Sequence, residues 1–146
     1  WWQLFRHPDQ LERLRRDPGL LPRAIDELLR YDTPLQMFER WVLEDVEICG
    51  VAVPKGAELG LLFGSANRDP AVFQDPDRLD LGREPNPHLT FGAGVHYCLG
   101  APLGRLELEL SFGTLLRRLP GMAPAAEPAW KPTYILRGLE ALDVTA

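Results

Sequence analysis

One thiol, Cys98, sits in the glycine-bounded run Phe91-Gly92-Ala93-Gly94-Val95-His96-Tyr97-Cys98-Leu99-Gly100, which opens directly into a long amphipathic pattern. Beyond the run, Leu99, Leu103, Leu106, Leu110, Leu115, Leu116 and Leu119 recur near a 3.6-residue period. Pro102 falls in the first turn, where a missing N–H costs least. The pattern predicts a helix with the sulfur at its N-terminus. Free N–H groups and the positive dipole end there both favour a thiolate over a thiol. Of the two, a hydrogen bond to a charged acceptor is worth roughly 1.5–3 kcal/mol and the dipole roughly 0.3–1 kcal/mol, so N–H···S bonds are expected to dominate.

Gly92, Gly94 and Gly100 remove side chains and permit positive φ on both flanks of the sulfur, so a flat ligand could approach the backbone closely. A planar macrocycle with a metal at its centre meets that requirement, and a thiolate as sole protein ligand is one known way to hold haem iron. Other readings of Cys98 fit the residues less well. A structural zinc needs four ligands, and Cys49, Cys98, His7, His88 and His96 show no paired spacing. A covalently attached c-type haem would need C-x-x-C-H, which is absent. A buried inert thiol leaves the surrounding glycines without a reason. A Cys49–Cys98 disulfide stays open, although nothing in the composition points to an oxidising compartment.

The 146 residues are 45% hydrophobic and 25% charged, enough for one ordinary core. Sixteen Lys and Arg are dispersed among twenty-one Asp and Glu, a net charge of −5 that argues against a nucleic-acid partner. No apolar run is long enough to span a bilayer and no leader pattern opens the chain, so a soluble, cytoplasmic protein is expected. The chain opens on Trp1-Trp2 rather than Met, which points to missing upstream residues.

Start and stop signals predict helices from Asp9 to Arg16 and from Pro22 to about Tyr31, the second stopped by Thr33-Pro34. Val46, Ile48, Val51 and Val53 alternate around Cys49-Gly50, a hairpin signal followed by a Pro54-Lys55-Gly56 turn, and Leu59 to Phe63 reads as a short buried strand. Asp69 and Pro70 read as the cap and first residue of a short helix. Residues 75–88 should form an irregular ordered coil, residues 120–132 a connecting loop, and Ile135 to Val144 a final hairpin around Gly138.

The cysteine run closely resembles the signature F-x-x-G-x-x-x-C-x-G of the cytochrome P-450 family, in the form common among soluble bacterial members. Glu27 and Arg30 at i and i+3 could be a mere surface pair. An E-x-x-R motif followed by a hairpin, the N-R-D-P turn at Asn67 and the cysteine run, in that order, resembles the C-terminal half of such enzymes across essentially the whole chain. The resemblance implies a mainly α fold with small β-hairpins, residues 1–146 forming the C-terminal, proximal part of one cytochrome P-450 domain. It implies haem b held by Cys98, with His96 and Arg40 toward the propionates, Phe91, Gly92 and Gly100 around the ring, and His88 as a weaker cofactor contact that could instead satisfy local backbone groups. Glu27 and Arg30 are expected to join Arg83 in a buried structural network that locks the coil; none is expected to be catalytic. Leu35, Phe38, Ile135 and Leu136 would reach toward a small apolar organic substrate. Electrons from NAD(P)H would arrive through a ferredoxin or flavoprotein; Arg105, Arg117 and Arg118 on the long helix either face such an acidic donor or are only solvated charges. Two departures stand out. The distal-helix pattern A-G-x-D-T-T is absent, so the chain resembles either a portion of a monooxygenase or a truncated, non-catalytic remnant, and Gly104 stands where bacterial relatives usually carry Ala.

Overall fold

A computed structural model describes residues 1–146. Four helices carry the fold: α1 (Trp2–Arg6), α2 (Pro8–Arg16), α3 (Leu21–Tyr31) and, after two hairpins and the one-turn helix α4 (Phe63–Ala66), the long α5 (Ala101–Arg118). Proline opens α2, α3 and α5 within their first two positions, where no N–H is needed. Thr33 ends α3 by donating its hydroxyl to the Arg30 carbonyl at 3.0 Å, just ahead of Pro34.

The strands form three two-stranded antiparallel pairs. In the first, β1 (Phe38–Trp41) pairs with β4 (Glu58–Leu61), Arg40 lying opposite Leu59. In the second, β2 (Val46–Ile48) pairs with β3 (Val51–Val53). Cys49 and Gly50 both take positive φ, 51° and 80°, which suits the right-handed twist of a two-residue hairpin turn. In the third, β5 (Ala123–Pro124) pairs with β6 (Val144–Thr145).

Leu4, Leu11, Leu14, Ala24, Leu79, Leu81 and Phe112 form the core, so α1 to α3, the coil around residue 80 and α5 enclose it. Trp1 stacks on Phe112 with ring centroids 4.7 Å apart. On α5, Leu108, Phe112 and Leu116 turn inward at i, i+4 and i+8. Leu103, Leu106 and Leu110 form a second stripe that is more than half exposed. The sequence pattern draws Leu116 and the exposed leucines into one amphipathic face; in the fold only the stripe of Leu108, Phe112 and Leu116 meets the core, and Leu99 lies wholly exposed before the helix begins.

Four other expectations are corrected. Residues 58–61 form an exposed-and-half-buried alternating strand, since a two-stranded sheet leaves one face open, and Phe63 opens α4 instead of closing a strand. Asp69 accepts the Ala71 N–H at 2.8 Å, capping a turn that does not continue into helix. Residues 135–144 do not fold on Gly138; the Lys131 N–H meets the Gly138 carbonyl at 3.0 Å, so residues 129–131 return along 138–140, and β6 runs back to β5. Gly100 has φ −81°, while Gly92 and Gly94 take +71° and +62°.

At Gly104 a Cβ would meet the Phe91 ring carbons at 3.9 Å, an ordinary contact. Gly104→Ala is therefore expected to raise stability by roughly 1 kcal/mol through helix propensity, read as a higher urea midpoint; a lower midpoint would show that the packing against Phe91 does not tolerate the methyl.

Candidate functional site: a buried ion network beneath an exposed cysteine loop

Glu27 and Arg30 project from one side of α3 and both are fully buried. Their contact is bidentate: Arg30 Nε donates to Glu27 Oε2 at 2.7 Å and Nη2 to Oε1 at 2.8 Å. Arg83, from the coil, donates its Nε to the same carboxylate at 3.0 and 3.1 Å. Asn86 Nδ2 and the Asp80 N–H complete the shell around Glu27 at 3.2 and 3.0 Å. Arg30 Nη1 reaches the carbonyls of Asn67 and Pro76 at 2.8 and 2.9 Å, and Arg83 Nη1 that of Gln74 at 2.7 Å. One carboxylate thus organises two guanidinium forks that staple an otherwise irregular coil to α3.

Asn67 carries this network to the cysteine loop, a role the sequence reading missed. It is fully buried. Its Nδ2 donates to Thr33 Oγ1 and Thr90 Oγ1 at 2.8 and 3.0 Å, and its Oδ1 accepts the Leu89 N–H at 2.7 Å. The signal lay in the N-R-D-P turn, whose Asn is one of the few residues able to offer both donors and acceptors to crossing backbones.

The loop itself folds on short-range bonds: the Cys98 N–H donates to the Phe91 carbonyl at 2.9 Å and the Gly92 N–H to that of Leu89 at 2.8 Å. Only a residue free of the β-carbon penalty adopts φ +71° readily, and a Cβ at Gly92 would also approach the His96 carbonyl oxygen to 3.4 Å. Cys98 is a free, exposed thiol, as is Cys49 in its hairpin turn. The expected N–H···S bonds do not form. The Ala101 N–H goes to the Cys98 carbonyl at 3.2 Å, and the N–H groups of Leu99 and Gly100 have no backbone partner.

A shallow apolar groove of about 270 Å³ brings together Leu35, Phe38, Arg40, Phe63, Thr90, Phe91, Gly92, His96 and Cys98. Seven of the residues expected around a cofactor or substrate therefore share one concavity. Arg40 stacks over the Phe38 ring at 5.0 Å and donates to the Glu39 carbonyl at 2.8 Å. Gly100 lies just past the sulfur, where a Cβ would sit 3.7 Å from Sγ. Ile135 and Leu136 stay outside the groove, tied to its rim by the Leu35–Leu136 bridge and the Gln36 N–H to Ile135 carbonyl bond at 2.8 Å.

His88 is not a groove residue. Its Nε2 donates to Asp26 Oδ1 at 3.2 Å and its Nδ1 accepts the Thr90 N–H at 3.3 Å, which satisfies both ring nitrogens inside the protein. Arg105 shares the Asp26 oxygen at 2.8 Å. Burial opposes ionisation of Asp26, but the bonds from His88 and Arg105, with the Arg105 charge, outweigh it and hold the carboxyl below its usual range. Stability from a depressed carboxyl is present above the ordinary value of about 3.9 and lost as pH falls through the lowered one. Asp26→Asn should therefore cost stability near neutrality and converge with the parent in acid, which urea midpoints taken down to about pH 2 would show; a gap that persists unchanged in acid would contradict it.

A larger apolar cleft, lined by Trp1, Trp2, Leu108, Phe112 and Trp130 among others, holds no cysteine or histidine, and its charges, Asp32 and Arg137, pair with each other at 2.6 Å. No three His, Cys, Asp or Glu side chains converge on a common point, and no helix is long and apolar enough to cross a membrane.

The family model described as Cytochrome P450 matches residues 9–125. The chain belongs to the cytochrome P450 family. It is 48% identical over 143 residues to the biotin biosynthesis cytochrome P450 of Bacillus subtilis (strain 168) and 43% identical over 144 residues to the 6-deoxyerythronolide B hydroxylase of Saccharopolyspora erythraea; each alignment covers 97% of this chain and 36% of the relative. The solved structure of P450BioI in complex with a hexadec-9Z-enoic acid ligated acyl carrier protein superposes with a TM-score of 0.96 at 46% identity, covering 99% of this chain and 38% of that one. The chain thus spans little more than a third of the length of the relatives it matches. Its mix of helices and small sheets is a cytochrome P450 fold, and the family implies haem.

Proposed function

We propose that this chain is the C-terminal, proximal, haem-binding part of a haem-thiolate monooxygenase, with Cys98 as the one protein ligand to iron. The observation that carries the reading is the groove: a single exposed thiol in an apolar cradle rimmed by Arg40 and His96. That donor set fits a flat, metal-centred group bearing two carboxylates, because the iron asks the protein for one soft ligand and the propionates ask for cations. When bound, haem would supply the oxidising chemistry, insertion of one oxygen atom from O₂ into an organic substrate.

The chain's own residues divide the remaining work. Cys98 ligates as thiolate, and the unpaired N–H groups of Leu99 and Gly100 are the donors free to stabilise that charge. Gly92 would let the backbone approach a bound ring, and Phe91 and Phe38 would give it apolar contact in the same groove. Arg40 and His96 are the groups placed to hydrogen-bond the propionates. Leu35 and Phe38 give any substrate an apolar contact, which favours a small apolar molecule. The two named relatives serve different pathways, so the family does not set the substrate. Electrons would come from NAD(P)H through a ferredoxin or flavoprotein donor.

Titration of the chain with haem tests the reading. Saturable, stoichiometric binding that Arg40→Ala and His96→Ala each weaken supports it; non-saturable binding indifferent to both contradicts it. A second reading, a non-catalytic remnant, draws on the missing A-G-x-D-T-T pattern and on the open Leu103, Leu106 and Leu110 stripe, which suits a helix meant to be covered on both sides. Peroxide-driven oxidation of a test substrate by the haem-loaded chain would eliminate that reading.

A further inference from the structure

We infer that Arg105 is a positioning residue that clasps the cysteine loop to α3, and not a free cation on a donor-docking surface. It projects from the second turn of α5 and reaches α3 and two points of the cysteine loop at once. Its Nε donates to Asp26 Oδ1 on α3 at 2.8 Å, its Nη1 to the Tyr97 hydroxyl at 2.9 Å, and its guanidinium plane lies over the Phe91 ring, 4.6 Å from the centroid. Tyr97 immediately precedes Cys98, and Phe91 supplies the carbonyl that accepts the Cys98 N–H. The clasp therefore grips the loop on both sides of the thiol.

Geometry explains why arginine occupies the position. The planar fork can donate in two directions while its face rests on an aromatic ring; an ammonium group has three donors, but they radiate from one nitrogen and it has no plane to stack, so it reproduces only part of the arrangement. The other Asp26 contact, from His88, anchors the next stretch of the same segment, since His88 Nδ1 holds the Thr90 N–H. Residues 88–98 are thus bound to α3 by two contacts that meet at one carboxylate next to Glu27, and by the Thr90 hydroxyl, which donates to the Leu29 carbonyl at 2.8 Å. Arg117 and Arg118, near the end of the same helix, have no such partners and remain the cations available to solvent.

The inference deepens the haem-thiolate reading and rests on it for its spectral consequence, so the test has two arms. In the first, amide hydrogen exchange is followed in the haem-free chain. Arg105→Ala should speed exchange of the Cys98 N–H by about tenfold, the scale of one lost hydrogen bond to a charged group, while the amides of Ile25 and Leu28 in α3 keep their rates. Tyr97→Phe, which removes one hydroxyl and leaves the fold's core untouched, should give a smaller increase confined to the same loop and decides the matter should Arg105→Ala not fold. Arg105→Lys should restore only part of the protection, and Arg117→Ala should change nothing.

In the second arm, the reduced carbon monoxide complex of haem-loaded Arg105→Ala should show a smaller fraction of the red-shifted, thiolate-type Soret band than the parent. Unchanged exchange at Cys98 in both loop variants, with weaker and more salt-sensitive association of a ferredoxin-type donor as the sole effect, would overturn the clasp. Absence of the thiolate band in the parent itself would instead refute the haem-thiolate reading, while the exchange arm still decides the role of Arg105.

Discussion

Glu27→Ala is expected to strip the chain of most of its stability. The substitution removes the one carboxylate that faces two guanidinium groups, an amide and a backbone N–H. Arg30 is fully buried and Arg83 nearly so, so both charges would lose their partner without gaining water. Breaking a buried pair from one side typically costs about 3–5 kcal/mol because a charge is left uncompensated. Whole domains are stable by only about 5–15 kcal/mol, and this chain leaves an apolar helix stripe open, which places it toward the lower end. Arg30→Lys should fall between parent and Glu27→Ala, since an ammonium keeps the charge but cannot reproduce the bidentate contact. The exposed Arg16–Glu12 pair on α2 makes the contrast: its side chains are 77% and 46% exposed, and Glu12→Ala should cost no more than about 0.5 kcal/mol. Urea denaturation of the three variants checks the ranking; a Glu27→Ala midpoint close to that of Glu12→Ala would contradict it.

The second large effect concerns the ligand. Cys98→Ala should lower haem affinity by about a hundredfold or more, above the roughly 10–100-fold that loss of a supporting group costs at metal sites. Arg40→Ala and His96→Ala should each cost less, because loss of either donor leaves the other and solvent to share the propionates. Cys49→Ser, in a hairpin turn outside the groove, should bind haem as the parent does. Equal affinities for Cys98→Ala and Cys49→Ser would mean that haem is held by apolar contact alone.

Much of this architecture was legible in the residues where a local rule coincided with the tertiary outcome. Prolines at helix starts and the Cys49-Gly50 turn are of this kind, since stereochemistry demanded them wherever the chain went; the network of Glu27, Arg30 and Arg83 followed only from the family resemblance, because spacing alone left Glu27 and Arg30 as a mere surface pair. Failures came where the decision was made by distant packing. The leucine period on α5 could not reveal that Leu108, Phe112 and Leu116 face the core while Leu103, Leu106 and Leu110 face outward, because both stripes repeat at helical spacing. The C-terminal alternation suggested a self-contained hairpin, yet Val144 found its partner at Pro124. At the groove, Cys98, Arg40, His96, Phe91, Gly92, Leu35 and Phe38 converge from two segments, whereas His88 is claimed by Asp26 and Thr90, partners that no spacing along the chain could announce. Asn67 and Arg105 were harder still: each looks like an ordinary polar residue until the elements it joins are assembled.

The position of the Soret band in the reduced carbon monoxide complex of the haem-loaded chain tests the central claim most directly, because that band reports which protein atom would hold the iron. A red-shifted, thiolate-type band in the parent, lost in Cys98→His in favour of the imidazole-type position, is the result expected. An imidazole-type band in the parent that Cys98→His leaves in place would show that sulfur does not hold the iron.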